Sequence, residues 1–106
     1  MFEFQQTLKD SVEVTGTSLH TGENTSVVFR PAPANHGVRF QRVDLPGQPI
    51  VPALVEHVQS TDRGTTIAEN DVVVHTVEHV MSSLAGLGID NALIQIRGSE
   101  PPIFDG

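Results

Sequence analysis

A chain of 106 residues is one domain, long enough to bury a core of its own. The absence of Cys excludes a disulfide framework and a thiolate metal site. A net charge of −7, with a single Lys and five scattered Arg, argues against a nucleic-acid or anionic-membrane surface, which needs clustered cations. No basic n-region follows Met1 and no apolar run approaches the length of a membrane span, so the expectation is a soluble, cytoplasmic chain.

The first half reads as strands. Val12 and Val14 alternate with polar neighbours ahead of the turn residues Gly16, His20 and Gly22. Thr25 to Arg30 is β-branched and aromatic, and Pro31-Ala32-Pro33 ends it because proline cannot donate to a ladder. Val38, Phe40 and Arg42 alternate next, and Leu45-Pro46-Gly47-Gln48-Pro49 marks a loop. A shorter extended piece follows from Ile50 to Val58. Then Thr65–Ala68 and Val72–Val74 flank Glu69-Asn70-Asp71, a tight hairpin.

One helix is predicted, over about residues 76–87. Thr76 is the expected N-cap, its hydroxyl bonding a backbone N–H of the first turn. Val77, Val80, Met81, Leu84 and Leu87 follow the helical apolar spacing, and Gly86 and Gly88 close the element. Ala92 to Arg97 returns as a strand that, reached through a helix, suits a parallel pairing. Strands, then a helix, then a strand predict an α+β fold. The expected form is a two-layer sandwich, a mostly antiparallel mixed sheet with the helix on one face.

Helix geometry singles out Glu78 and His79. At about 100° per residue, His79 lies roughly opposite the stripe of Val77, Met81 and Leu84, so it is solvated or faces something other than the core. A surface His on an amphipathic helix is the plain explanation. A metal ligand with a carboxylate beside it is the functional one: imidazole is a common zinc ligand, and a Glu in the first turn suits the helix dipole. Such a carboxylate can take a proton from metal-bound water. His75-Thr76-Val77-Glu78-His79 also spells H-x-x-E-H, the inverted zincin pattern, which puts two imidazoles one turn apart if the helix begins before His75. Thr76 as N-cap opposes that, because it leaves His75 outside the helix.

Thr76-Val77-Glu78-His79 with the following VMSSLAGLGIDNALIQI resembles the helix and strand of the zinc-dependent UDP-3-O-acyl-N-acetylglucosamine deacetylases of lipid A synthesis. LHTG at Leu19 to Gly22, RPAPANHGVRFQRVD at Arg30 to Asp44, STDRGTT at Ser60 to Thr66 and EPPIFDG at Glu100 to Gly106 resemble that family in order. The resemblance implies that His79 is a zinc ligand and Glu78 the general base. It implies His20 as an accessory residue at the active-site mouth, and Thr61 to Gly64 near the substrate cleft, with Thr61 as a substrate contact. The remaining zinc ligands then belong to a second domain. By the same resemblance this is an amino-terminal domain stopped before its second helix, inactive alone and prone to self-association through uncovered sheet surface. The rival classes are an inverted-zincin peptidase fragment and a non-catalytic α+β interaction module.

Overall fold

The computed structural model describes residues 5–18, 22, 24–54, 57–61 and 64–102. In chain order the elements are β1 (Val12–Thr17), β2 (Asn24–Pro31), β3 (Val38–Arg42), β4 (Ile50–Pro52), β5 (Val58–Thr61), β6 (Gly64–Glu69), β7 (Val72–Val74), α1 (Glu78–Gly86) and β8 (Ala92–Ile96). The α+β class stands. The strands, read above as one sheet, divide into two: a five-stranded sheet ordered β1-β2-β8-β3-β4 and a three-stranded sheet ordered β5-β6-β7.

β8 is the middle strand of the larger sheet. It runs antiparallel to β2, with Phe29 opposite Ile94, and parallel to β3, with Phe40 opposite Ile94. The period of two puts Val27 and Phe29 of β2, Phe40 of β3, Val51 of β4, and Ala92, Ile94 and Ile96 of β8 into the core. Ile67 of β6 and Val74 of β7 join the same apolar cluster, as do Val77, Val80 and Leu84 at and within α1. Fully burying each of these aliphatic and aromatic side chains contributes about 1.5–3 kcal/mol, so one shared core holds both sheets and the helix.

The hairpin at 69–72 forms as its residues suggest. Glu69 pairs with Val72, and Asn70 and Asp71 take φ of 53° and 66°, the left-handed pair that a two-residue type I′ turn requires. The helix forms where it was expected, but one expectation for it fails. It covers 78–86 between the caps Val77 and Leu87, and Leu87, counted in the apolar stripe, is 73% exposed. Leu87 sits at the C-cap, past the last residues that reach the sheets, and Gly88 at φ 72° turns the chain away there.

Arg42 ties the sheets together. Its Nε and Nη2 donate to Asp44 Oδ1 and Oδ2 at 3.0 and 2.7 Å, and its Nη1 donates to the Val73 carbonyl of β7 at 3.0 Å. The hydrogen bonds and positive charge of Arg42 hold the Asp44 carboxyl below its ordinary 3.8, against a smaller opposing effect of burial. A carboxyl lowered by folding adds stability above its unfolded pKa, and that stability is lost as pH falls through the folded value. Asp44→Asn should therefore lower the urea midpoint near pH ~7, with the gap to the wild type closing in acid. A gap that stays constant down to strongly acid pH would show that the ion pair is not its source.

Candidate functional site

The site is built where β7 hands over to α1. The chain leaves Val74, and the His75 N–H donates to the Ser99 carbonyl at 2.6 Å. Thr76 then takes φ of 56°, a left-handed conformation that is a real outlier for a β-branched residue. Its hydroxyl does not cap the helix. It donates instead to Glu100 Oε2 at 2.6 Å, with Thr76 and Glu100 only 6% and 2% exposed. The N-cap is Val77, without a side-chain capping bond. The Thr76 capping expectation is thus overturned: a buried carboxylate competes for the hydroxyl and wins, a charge-assisted hydrogen bond being stronger than a neutral cap.

Thr65 of β6 grips the start of α1 from the other side. Its carbonyl accepts the Val77 N–H at 3.1 Å, and its own N–H donates to Glu78 Oε1 at 3.1 Å. Glu78 is the acidic residue of the first turn, where the helix dipole favours negative charge. Gly64 makes room for it. A Cβ at that position would lie 2.6 Å from Glu78 Oε2, and its φ of 123° belongs to glycine. Glu78 is half-buried against this seat, and the next residue, His79, is exposed, as the helical angle predicts.

His75 lies outside the helix, and its Nδ1 is 3.0 Å from Thr66 Oγ1. The two imidazoles of H-x-x-E-H are therefore not carried one turn apart on one helix face, so the inverted zincin arrangement does not form. Thr61 ends β5 and pairs with Gly64, which brings its backbone beside the seat of Glu78. His20 falls outside the described residues. So do 62–63 and 103–106.

Among the described residues no three His, Asp or Glu side chains group to hold a metal ion. A catalytic zinc takes about three protein ligands and keeps a fourth position open. The exposed imidazole of His79 suits one of those ligands, and the described residues do not supply the set.

Sequence reasoning missed Glu100 and Thr65 as parts of this arrangement, and placed Gly64 near the substrate cleft without its role as the floor under Glu78. Gly64 carries a weak signal, a glycine at a strand start behind a polar turn. Glu100 carries none, since an acidic residue before two prolines reads as exposed loop.

The family model for UDP-3-O-acyl N-acetylglycosamine deacetylase matches residues 5–106. The chain is 54% identical over 102 residues to a bifunctional enzyme LpxC/FabZ of Bacteroides thetaiotaomicron, covering 96% of this chain and 22% of that protein. It is 48% identical over 106 residues to a protein of the same name from Chlorobaculum tepidum, covering 100% of this chain and 23% of that one. Over 102 residues it is 48% identical to a UDP-3-O-acyl-N-acetylglucosamine deacetylase of Teredinibacter turnerae, covering 96% of this chain and 34% of that enzyme. The chain thus spans between 22% and 34% of the length of these curated relatives. With the match running through the strands, the Glu78–His79 helix and β8, the chain belongs to the UDP-3-O-acyl N-acetylglycosamine deacetylase family.

Proposed function

We propose that this chain is the amino-terminal part of a zinc-dependent deacetylase. Its substrate is UDP-3-O-acyl-N-acetylglucosamine, whose acetamide it hydrolyses to acetate and a free amine in lipid A synthesis. His79 is a metal ligand and Glu78 the proton acceptor. The observation that supports this best is the seat of Glu78: a carboxylate held by the Thr65 N–H, on a floor only glycine allows, next to an exposed imidazole.

His79 would be one ligand of a zinc ion, which when bound would lower the pKa of a water and polarise the amide carbonyl. The chain's own residues do the rest of what is assigned here. Glu78 Oε1 stays on the Thr65 N–H while Oε2 takes a proton from the water and returns it to the departing nitrogen. His79 anchors the helix start to the metal. His20 and Thr61 are proposed as substrate contacts. A cytoplasmic setting is part of the proposal; no helix among the described residues is long and apolar enough to cross a membrane.

The test uses the full-length protein that carries this chain and, beside it, the 106-residue chain alone. The full-length protein should bind zinc and release acetate from UDP-3-O-acyl-N-acetylglucosamine, and His79→Ala should lose the metal. The shorter chain should do neither, because one imidazole does not make a zinc site. A full-length protein that leaves the acetamide intact sinks the deacetylase reading. Stoichiometric zinc in the short chain sinks the division of ligands.

A further inference from the structure

Glu100 is a buried carboxylate for which the chemistry above has no use. It sits 24 residues beyond Thr76 in sequence and receives that residue's hydroxyl. Burying a carboxylate is expensive, and an apolar residue of similar volume commonly serves stability as well or better. Its presence needs a reason beyond packing.

The reason lies in Thr76. A threonine at φ 56° stands in a conformation that costs about 1–3 kcal/mol and persists only where the surroundings over-determine it. Hydrogen bonds clamp residues 75–77, among them His75 N–H to Ser99 O, Thr76 Oγ1 to Glu100 Oε2, and Val77 N–H to Thr65 O. Glu100 itself is held stiffly. Pro101 restricts its backbone to extended conformations, and the neighbouring Pro102 bridges to Ser18. Without the carboxylate, the conformation that local chemistry prefers is the one its sequence suggests, Thr76 extended and capping the helix. That arrangement re-aims the first turn.

We propose that Glu100 is a positioning residue: by accepting the Thr76 hydroxyl it holds Thr76 left-handed, and so fixes where α1 begins and how Glu78 and His79 are presented. The inference rests on the deacetylase reading for its consequence in turnover, but not for its consequence in structure. Both are measured.

The experiment compares Glu100→Met, Glu100→Gln, Thr76→Val, Thr76→Gly and the double variant Thr76→Gly/Glu100→Met in the full-length protein. Glu100→Met should lower kcat about tenfold or more with KM within about twofold, since the left-handed threonine loses its support. Glu100→Gln keeps an acceptor and should stay within about threefold of the wild type. The decisive contrast is at position 76. Valine and glycine both remove the hydroxyl that donates to Glu100 Oε2, but only glycine accepts positive φ without strain. Thr76→Val should turn over at least about tenfold more slowly than Thr76→Gly, and the double variant should outperform Glu100→Met. Equal losses in Thr76→Val and Thr76→Gly, or a double variant no better than Glu100→Met, would mean that Glu100 merely needs a donor, and the proposal falls. If Glu100→Met does not fold, the Thr76 pair still decides.

Amide hydrogen exchange supplies the arm that needs no substrate. Exchange at Thr65 and Val77 should rise about tenfold in Thr76→Val and stay near the wild type in Thr76→Gly. Unchanged exchange in both variants overturns the proposal. A wild-type protein without deacetylase turnover removes the reading above and leaves the exchange result to judge Glu100.

Discussion

Glu78→Gln in the full-length protein is expected to cut kcat by about a hundred- to ten-thousandfold while KM changes little, the usual range for losing a positioned general base. The substitution is well matched to the site. The amide oxygen of Gln can still accept the Thr65 N–H that holds Glu78 Oε1 at 3.1 Å, so the side chain keeps its seat and only the proton acceptor is lost. Substrate binding and thermal stability should therefore stay close to the wild type. A Gln variant with near-normal kcat assigns the proton to another group. A variant with a collapsed melting temperature says that the carboxylate is structural.

Gly64→Ala carries the second-largest expected effect, and by a different route. The added Cβ would meet Glu78 Oε2 at 2.6 Å, and the atom it meets is the far end of a flexible side chain. The clash is therefore relieved by displacing the carboxylate, not by opening the core. Moving a reacting group by about 1 Å can cost roughly a hundredfold in rate, and that is the loss expected in kcat. The φ of 123° adds a conformational penalty of about 1–3 kcal/mol, so a lowered melting temperature accompanies it. The diagnostic comparison is Glu78→Gln/Gly64→Ala. If both substitutions act on one carboxylate, the double variant is little slower than Glu78→Gln alone. Full additivity would separate Gly64 from Glu78.

What the sequence made legible follows the range of the forces involved. The tight hairpin at Asn70-Asp71, the alternation of Val38, Phe40 and Arg42 in β3 and the strand that returns after the helix are local patterns, and they appear where they were expected. The exposure of His79 also follows from helix angle alone. The separate sheet of β5, β6 and β7 was not legible, because strands as short as Val72–Val74 carry no signal for which partner they join. Thr76 failed for a sharper reason: capping preference is a local rule, and a tertiary carboxylate from Glu100 overrode it. Leu87 failed because periodicity says which side of a helix is apolar and not where the facing surface stops. The chemical roles of Glu78 and His79 came from resemblance. Residue pattern alone favoured solvent as the explanation for His79.

The placement of β8 bears on how the chain comes into being. β2 and β3 follow each other in sequence but never touch as strands; the slot between them is filled by a strand that begins at Ala92. At a synthesis rate of about 5–20 residues per second, the nascent chain spends several seconds with that slot open. Two unpaired ladder edges face each other across it, and the shortest route to satisfying them is to pair β2 with β3 wrongly. Among the described strands β8 is the latest in sequence, yet it completes the middle of the sheet and does not extend an edge.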